Sequence, residues 1–398
     1  MQTDRVIVVG AGPVGLVTAL LLSEAGIPVL VLEAQDDVSD DLRASTFHPP
    51  TLDMMAPYGL SAALVERGLT CPTWQIRMHA TGEKAEFDLA LIAEYTDFPF
   101  RLQCEQAVLC EVLAKRLATD SNVELRFGVE VLELTQYATG VHVHFQTPDG
   151  GVEKAAASFV IGADGANSTV RDQVGLAFAG STYPETTVLV STTFPFQDHI
   201  RGLSNVSYCW SEGGNFALLR LRDFWRCSLY YDPALSFEAA LAPERVQQQL
   251  QSIVSNPAPF DVVDSRPYRV HQRIVSNYRV GRVLLAGDAA HINSPSGGMG
   301  MNGGIHDAFN LVDKLEQVWR GADMELLDLY TRQRLPVANT AIAQQADRNR
   351  KRMTQKDPKG RRKALEDLQA ITANPEAART YLLKSSMIEG LRQAARIT

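Results

Sequence analysis

Residues Val6 to Gly15 read VIVVGAGPVG, and this stretch decides the fold of the amino-terminal region. Its first four residues are apolar and predict a short buried strand, and the glycines that follow predict a tight turn. The apolar run from Leu16 to Leu22 predicts a helix directly behind the turn. A strand, a glycine turn and a helix in this order place a pyrophosphate group at the N-terminus of the helix. We therefore expect a dinucleotide site that includes Gly10, Gly12, Pro13 and Gly15.

A carboxylate after the next predicted strand narrows the choice of nucleotide. That strand is predicted at Val29 to Leu32, and Glu33 follows it, 23 residues after Gly10. A carboxylate at this place accepts a hydrogen bond from a ribose 2′-hydroxyl and disfavours a 2′-phosphate. The dinucleotide is therefore expected to be FAD or NAD, not NADP, and Ala34 is included in its site.

A second glycine-rich stretch, Gly287 to Asn302, reads GDAAHINSPSGGMGMN. The apolar residues before it predict a strand that ends at Gly287 and delivers Asp288, an acceptor suited to sugar or ribityl hydroxyls. Pro295 stiffens the loop, and a helix is predicted behind it. The glycines of the loop are interpreted as positions where a side chain would keep backbone N–H groups away from a flat ring. They are Gly297, Gly298, Gly300 and Gly303.

A third motif, Asp164 to Arg171 (DGANSTVR), follows the predicted strand Phe159 to Ile161. The three motifs in this order resemble the p-hydroxybenzoate hydroxylase family of single-component FAD-dependent aromatic monooxygenases, the group A flavoprotein monooxygenases. The resemblance covers most of the chain. It implies an oxidoreductase that binds FAD, uses NADPH or NADH as co-substrate, and hydroxylates an aromatic small molecule with O2 through a flavin C4a-hydroperoxide. A phenolic or heteroaromatic substrate is expected.

The predicted fold class is α/β, and α+β overall. We expect a Rossmann-like FAD-binding domain with an inserted antiparallel-sheet substrate domain and a helical C-terminal region. The FAD-binding domain is assigned to residues 1–70, 101–175 and 266–340, the substrate domain to 71–100 and 176–265, and the C-terminal region to 341–398. Four strands without helices are predicted between Val188 and Tyr231. In the family such a sheet covers the flavin ring, so the substrate is expected between the sheet and the flavin.

The resemblance also implies roles for single residues. Arg43 matches an arginine near the flavin and the diphosphate, with an exposed loop cation as the alternative. Gln103, expected to open a helix, matches a glutamine on the ribityl side. The carboxylate of Asp164 either serves the cofactors or caps its own turn. The expected FAD contacts are Gly10, Gly12, Pro13, Gly15, Glu33, Ala34, Arg43, Gln103, Asp164, Gly287, Asp288, Pro295, Gly298, Gly300, Met301 and Asn302.

Pro295, His48 and Tyr208 are the candidates for catalytic residues. By resemblance, Pro295 lies beside the reacting edge of the flavin and His48 lies close to it. Tyr208 is expected in an apolar roof, with Trp210, Phe216 and Leu218, that keeps water away from the reaction. Each His or Tyr that could favour a phenolate has a packed structural role as its alternative. The other candidates for substrate contacts are Tyr183, Tyr230, His271, Arg220 and Arg222.

Composition argues for a cytoplasmic enzyme without nucleic-acid, membrane or metal partners. The 398 residues carry a net charge of −8, which gives no general attraction to nucleic acid. No apolar run approaches the roughly 20 residues that span a bilayer, and no secretion signal precedes the first strand. The five cysteines form no C-x-x-C pair, as expected of reduced thiols. The expected partners are the aromatic substrate and O2, and the chain is expected to be a monomer or a homodimer.

The sequence leaves three alternative functions open. An FAD-dependent oxidase or reductase of the same fold, without oxygen insertion, would keep Gly10, Asp164 and Asp288. A flavin halogenase would need a pair of neighbouring tryptophans, whereas the four tryptophans of this chain are isolated. A binding protein without activity would be expected to lose the loop from Pro295 to Asn302. The basic cluster between Arg348 and Lys363 is interpreted as a solvated helix and loop rather than an anion site.

Overall fold

The computed structural model describes residues 4–38, 44–231 and 235–398. The strands are β1 (Val6–Val9), β2 (Val29–Leu32), β3 (Thr46–Phe47), β4 (Leu69–Cys71), β5 (Thr73–Met78), β6 (Lys84–Asp88), β7 (Arg101–Gln103), β8 (Val123–Arg126), β9 (Glu130–Tyr137), β10 (Gly140–Gln146), β11 (Val152–Ala157), β12 (Phe159–Gly162), β13 (Ala179–Thr192), β14 (Val206–Trp210), β15 (Phe216–Arg220), β16 (Trp225–Tyr231), β17 (Val262–Ile274), β18 (Arg279–Val280), β19 (Val283–Leu285) and β20 (His291–Ile292). The helices are α1 (Pro13–Glu24), α2 (Pro49–Met55), α3 (Leu60–Arg67), α4 (Gln106–Leu117), α5 (Thr169–Gln173), α6 (Phe196–His199), α7 (Phe237–Leu241), α8 (Pro243–Ile253), α9 (Gly300–Trp319), α10 (Leu326–Val337), α11 (Ala343–Thr354), α12 (Pro358–Thr372), α13 (Pro375–Ser385) and α14 (Ile388–Ala395).

A six-stranded sheet in the order β18-β19-β12-β1-β2-β8 forms the first layer. β1 pairs in parallel with β2 and β12, and β19 joins β12 in parallel, whereas the edge strand β18 is antiparallel. All four residues of β1 and of β2 are buried, as their uninterrupted apolar sequences predict for strands covered on both faces. Helix α1 packs against α4 and α9. The predicted α/β fold is confirmed.

The order of these strands brings the sequence motifs to one edge of the sheet. In parallel strands the carboxyl ends meet at the same edge, and β19, β12, β1 and β2 are neighbours in the sheet. Gly10 N–H donates to Leu32 O (2.8 Å), Ala163 N–H to Val9 O (2.8 Å), and Ala286 N–H to Gly162 O (2.9 Å). The residues after the four strands therefore lie side by side, although they are far apart in the chain.

An eight-stranded sheet in the order β20-β17-β13-β16-β15-β14-β5-β6 forms the second layer. The strands predicted between Val188 and Tyr231 are all present, and β13 begins earlier, at Ala179. β5 and β6 join this sheet through a parallel pairing of β5 with β14. At the opposite edge, β20 pairs with β17 and belongs to the stretch Gly287 to Asn302. The glycine-rich loop after β20 is thereby anchored to both large sheets.

The carboxy-terminal helices pack against β5 and β6. Leu365 and Leu382 share a buried cluster with Trp74 and Phe87. Two hydrogen bonds, of 2.7 and 2.9 Å, join the guanidinium of Arg362 to the carboxylate of Glu83. The basic cluster is therefore not only a solvated helix and loop, because it also attaches α12 to the sheet. In the part of the chain that the structure describes, no helix has the length and apolar character needed to cross a membrane.

Candidate functional site

The amino terminus of α1 has the geometry of a phosphate-binding turn. Gly12 is the N-cap residue and has no side chain to cap the helix, so the cap leaves N–H groups of the first turn without a side-chain acceptor. A Cβ atom placed on Gly12 would meet no protein atom within 4 Å. A Cβ on Gly15 would lie 1.9 Å from Gly10 O, and one on Gly10 would lie 2.5 Å from Ala163 O. Two glycines of the motif are thus needed for packing, whereas Gly12 faces open space.

Glu33 stands at the carboxyl end of β2, beside this turn. Its carboxylate accepts hydrogen bonds from Ala11 N–H at 2.5 Å and from Gln35 N–H at 2.9 Å. The side chain is thereby oriented towards the space above the α1 N-terminus. A ribose hydroxyl in that space would find an acceptor, as the sequence predicts for FAD or NAD.

The Asp164 motif is held by its own carboxylate. Asp164 accepts hydrogen bonds from the Ser168 hydroxyl at 2.5 Å and from Val170 N–H at 3.0 Å. Burial raises the pKa of Asp164, and these donors oppose the shift. Of the two roles left open for this carboxylate, the structure contains the turn cap.

Arg171, in the same motif, links it to the second glycine-rich stretch. Its guanidinium donates to Ala166 O at 3.0 Å and to Ala289 O at 3.4 Å, and lies 4.1 Å from the centre of the Phe178 ring. The link joins the ends of β12 and β19. The sequence pattern includes this arginine, but only the fold identifies its partners.

Asp288 and Pro295 are both exposed, at the start and in the middle of the glycine-rich stretch. Asp288 follows β19 at the edge where the motifs meet. Pro295 O accepts a hydrogen bond from Gly298 N–H at 3.0 Å, which closes a turn. Helix α9 begins directly after the turn, at Gly300, and its N-cap residue Met299 makes no side-chain hydrogen bond to it. A second helix N-terminus thus faces the site with N–H groups that its cap does not satisfy.

Packing within the protein requires two glycines of the loop. A Cβ on Gly298 would lie 2.8 Å from Thr46 Cβ, and one on Gly297 would lie 2.6 Å from Asn349 Nδ2. Both residues have positive φ, of 67° and 104°. Protein atoms therefore already exclude a side chain at these two positions, and the expected approach to a ring remains a prediction.

Asn302 connects the loop to β3 and α2. Its amide nitrogen donates to Thr46 O and Gly298 O, each at 2.7 Å, and its amide oxygen accepts from His48 N–H at 2.9 Å. It also accepts from the Thr51 hydroxyl at 2.7 Å. The side chain of this expected FAD contact is thus fully engaged with protein, which leaves its backbone N–H for a cofactor.

Gln103 is the last residue of β7 and does not open a helix. It pairs with both Thr46 and Leu69 in a three-stranded sheet, and α4 begins only at Gln106. The prediction of a helix start was wrong because the pairing of β7 with two strands extends the chain to this residue. The side-chain amide is hydrogen-bonded to the Thr46 hydroxyl at 3.0 Å. Arg43, the other single residue implied by resemblance, lies outside the described residues.

His48 is fully buried beside the glycine-rich loop. Its Nε2 lies 2.8 Å from Gly297 O, and because a carbonyl only accepts, Nε2 carries the proton. The lone pair of Nδ1 has no partner among the described residues. Burial and the nearby Arg101 guanidinium lower the pKa of His48 to about 3, so the ring is neutral at physiological pH.

A buried charged cluster lies behind the loop. Asp307 accepts hydrogen bonds from Arg334 Nε at 2.6 Å, from His291 Nε2 at 2.7 Å and from Gly287 N–H at 3.2 Å. Burial alone would raise the pKa of Asp307, but Arg334 and His291 lower it to about 2. Arg334 also donates to Gly303 O at 3.1 Å. The cluster ties the end of β19 to the first turns of α9.

A narrow cavity lies between the eight-stranded sheet, the glycine-rich loop and the carboxy-terminal helices. Its residues come from segments that are distant in sequence, and most of them carry no motif by which the sequence could identify them. They are Trp74, Arg101, Tyr208, Gly297, Met299, Gln345, Asn349, Arg352, Met353 and Ser385. Of the predicted catalytic residues, Tyr208 lines this cavity directly, and His48 borders it through Gly297.

The predicted roof is only half correct. Tyr208 and Trp210 face the cavity side of the sheet, where Trp210 Nε1 donates to Arg352 O at 2.8 Å. Phe216 and Leu218 pack into the core on the opposite face, against α8. Successive residues of a strand alternate between faces, and β15 pairs Ala217 with Tyr208, so Ala217 is its residue on the cavity side. The expectation that Phe216 and Leu218 cover the site was wrong.

The other candidates for substrate contacts lie in different parts of the structure. Tyr230 is directed at Ser296 of the glycine-rich loop, and burial raises the pKa of Tyr230 to about 12. The remaining four candidates contact residues outside that loop. Tyr183 donates to Gln272, His271 is paired with the Thr182 hydroxyl, Arg222 donates to the backbone carbonyl of Glu66, and Arg220 lies over the Trp225 ring.

Acid should destabilise the folded protein through its buried neutral histidines. Burial and the nearby Arg334 lower the pKa of His306 to about 3, and burial and the nearby Arg101 lower the pKa of His48 to about 3. In the unfolded chain the histidine pKa values lie near 6.5, so below that pH the unfolded chain binds more protons than the folded protein. The contribution of these histidines to the free energy of unfolding is therefore fully present above pH 6.5 and falls as the pH falls towards 3. We expect His306→Gln to reduce this slope by up to about 1.4 kcal/mol per pH unit. Urea unfolding at several values between pH 6.5 and 5 measures it.

The slope, rather than the stability at one pH, is the quantity to compare, because the substitution also changes the hydrogen bond with Thr51. His199→Gln at an exposed position serves as the control and should leave the slope unchanged. A His306→Gln variant with the wild-type slope would show that this histidine is not held neutral in the folded state.

Comparisons with known proteins agree with the geometry of the site. A family model described as FAD binding domain matches residues 3–345. The chain is 34% identical over 397 residues to the para-nitrophenol 4-monooxygenase of Pseudomonas sp. (strain WBC-3), with 98% of each chain covered. It is 36% identical over 329 residues to the 6-hydroxy-3-succinoylpyridine 3-monooxygenase of Pseudomonas putida (strain DSM 28022 / S16), with 82% of this chain and 83% of that protein covered.

Solved structures have the same architecture. The crystal structure of the p-nitrophenol 4-monooxygenase PnpA from Pseudomonas putida DLL-E4 matches with a TM-score of 0.91 and 33% identity, over 98% of this chain and 99% of that one. A ternary complex of aklavinone-11 hydroxylase with FAD and aklavinone matches with a TM-score of 0.78 and 25% identity, over 89% of this chain and 70% of that one.

Proposed function

Because this chain belongs to the FAD binding domain family, that of the p-hydroxybenzoate hydroxylase-like aromatic monooxygenases, we propose that its substrate is a single-ring phenol or hydroxylated heteroaromatic ring. The resemblance found in the three motifs is thereby confirmed, and the enzyme is an FAD-dependent aromatic monooxygenase with NAD(P)H as co-substrate. Relatives named as monooxygenases support oxygen insertion over the oxidase or reductase alternative.

The residues at the edge of the parallel sheet fit FAD. Gly12 leaves room for a pyrophosphate at the N-terminus of α1, and Glu33 presents a carboxylate towards a ribose. Asp288 stands exposed where a ribityl chain would run, and the α9 N-terminus offers N–H groups to the polar edge of the ring system. When bound, FAD accepts electrons from NAD(P)H and activates O2, and the protein contributes orientation, electrostatics and exclusion of water.

In the proposed mechanism, residues of this chain exclude water, contact the substrate and hold the mouth of the site. Trp74, Met299 and Met353 give the cavity apolar walls, which exclude water from the reacting ring. For a substrate that binds with its hydroxyl protonated, the Nδ1 lone pair of His48 accepts the hydrogen bond of that hydroxyl and so increases electron density on the ring. Pro295 holds the exposed turn at the mouth of the site through its bond to Gly298 N–H. The folded protein fixes these three roles before the reaction begins.

The observation that carries the proposal is the cavity between Trp74, Tyr208 and Gly297. It combines apolar walls with polar groups at its border, which suits a hydroxylated aromatic ring. The names of two relatives that are similar over more than four fifths of their length, a nitrophenol and a hydroxypyridine monooxygenase, support the same substrate class.

The test is NADH and NADPH oxidation by the FAD-loaded protein in air, with a panel of single-ring phenols, hydroxypyridines and, for comparison, polycyclic phenols. Each compound is paired with its methyl ether, which keeps the ring shape but lacks the acidic proton. We expect at least one hydroxylated ring to accelerate oxidation and to gain one oxygen atom, with little H2O2 formed, while its ether remains inactive. Oxidation that yields only H2O2 with every compound, or hydroxylation restricted to polycyclic phenols, would contradict the proposal.

A further inference from the structure

Three buried polar groups have no partner among the described residues; two belong to residues that line the cavity, and the third belongs to a histidine that contacts the lining residue Gly297. They are Nε of Arg101, Nε1 of Trp74 and Nδ1 of His48. The first two are donors and the third is an acceptor. A buried polar atom without a partner costs free energy, so such atoms in one place indicate a ligand or ordered water that satisfies them.

Arg101 is the charged member of this group. The residue is only 4% exposed, and its guanidinium carbon lies 4.6 Å from the centre of the Trp74 ring. The other face of that ring stacks on Phe87 at 4.4 Å. The stack holds the guanidinium in one orientation at the cavity wall. None of the hydrogen bonds or ion pairs found between described residues gives this side chain an acceptor.

Three other deeply buried arginines have acceptors among the described residues. Arg334 is paired with the carboxylate of Asp307, and Arg171 donates to two backbone carbonyls. Arg361 likewise donates to two carbonyls. A buried cation without an anionic partner is costly to maintain. At Arg101 the structure supplies no such acceptor from the described residues, which points to a ligand as the partner.

We propose that Arg101, assisted by the Trp74 indole N–H, binds an anionic oxygen of the aromatic substrate. The inference rests on the proposed function, because it specifies how the cavity selects its ligand. The anionic oxygen is either the phenolate of the ring or the oxygen of an acidic ring substituent such as a carboxylate. Arg101 is thus a specificity-determining residue, and the planar guanidinium suits either kind of oxygen.

The test measures ligand binding to the oxidised, FAD-loaded protein through the change in the flavin absorption spectrum. Ligands are phenols of graded acidity, benzoates without a hydroxyl, and the neutral methyl ethers. For Arg101→Gln we expect the Kd of anionic ligands to rise about 10- to 100-fold, as for loss of a charged hydrogen bond, and the Kd of the neutral ethers to change less than about 3-fold. Arg101→Lys should recover part of the loss.

The two kinds of ligand identify which oxygen is bound. If phenols lose affinity and benzoates do not, Arg101 binds the ring phenolate, whereas the reverse result assigns the acidic substituent. In the wild-type protein, affinity for phenols bound through their phenolate should rise with pH up to the pKa of each phenol and then level off. That profile needs no variant and remains informative if Arg101→Gln folds poorly.

Arg77→Gln is the matched control. Arg77 is 3% exposed and lies in β5, the strand that contains Trp74, but on the opposite face. Its guanidinium donates to Arg201 O. The variant should leave the affinity for anions within about 2-fold of wild type. Equal loss for anionic and neutral ligands in Arg101→Gln, or unchanged affinity for both, would overturn the inference. The proposed function fails separately, if the wild-type enzyme hydroxylates no compound of the panel.

Discussion

Replacing Gly12 by valine should leave the chain folded and deprive it of FAD. A Cβ atom at this position would meet no protein atom within 4 Å, and the backbone angles of Gly12, φ −72° and ψ −179°, are accessible to any residue. The added methyl groups would occupy the space in which a pyrophosphate approaches the N-terminus of α1. We expect the Kd for FAD to rise by about 100-fold or more, which corresponds to about 2.8 kcal/mol. Fluorescence titration of the apoprotein with FAD measures it.

The other glycines of the motif provide the contrast. Gly15→Ala would place a methyl group 1.9 Å from Gly10 O, and Gly10→Ala would force a side chain into a backbone with φ of 102°. Both should lower the thermal stability of the apoprotein itself, whereas Gly12→Val should not. A Gly12→Val protein that binds FAD as tightly as wild type would refute the assignment of this turn to the pyrophosphate.

Replacing Asp307 by alanine should strongly destabilise the folded protein. The substitution would leave the guanidinium of Arg334, which is fully buried, without its carboxylate. It would also remove the acceptor for His291 and for Gly287 N–H. Breaking a buried pair in this way costs about 3–5 kcal/mol. Urea unfolding of the FAD-loaded protein at pH 7 measures the loss, and release of FAD should accompany it because the cluster joins β19 to α9.

Two further variants separate the buried charge from simple loss of packing. The double variant Asp307→Leu with Arg334→Met removes both charges and should be more stable than Asp307→Ala. Glu316→Gln removes one partner of an exposed pair with Arg320 and should cost less than about 1 kcal/mol. If Asp307→Ala costs no more than Glu316→Gln, the cluster does not support the loop in the way its geometry indicates.

The local motifs were accessible to sequence reasoning because each is built from consecutive residues. An apolar tetrad, a glycine turn and an apolar helix define β1, the α1 N-terminus and its open glycine without reference to the remainder of the chain. Glu33 and Asp288 were predicted from their places after apolar strands, and Asp164 from the family resemblance; the structure brings the ends of these strands to the same edge of the sheet. The family, the cofactor and the class of reaction follow from these motifs in their order.

Sequence reasoning failed where the outcome depends on pairing. The helix start predicted at Gln103 is replaced by a strand, because β3 and β4 both pair with β7 there. Phe216 and Leu218 have the apolar character of a roof, but alternation along β15 turns them to the opposite face of the sheet. Apolar character predicts that a residue is buried, but only strand register decides the face of the sheet on which it is buried.

The sequence by itself determined a dinucleotide-binding α/β chain of the FAD-dependent aromatic monooxygenase family. Only the tertiary structure decided which residues surround the substrate cavity. Arg101 and Trp74 meet because β7 and β5 lie close together in space, and His48 reaches Gly297 across 249 residues of chain. Such contacts depend on strand order and on the facing of each side chain. Neither is encoded by the periodicity of a local segment, so the residues proposed to select the substrate emerge only from the folded chain.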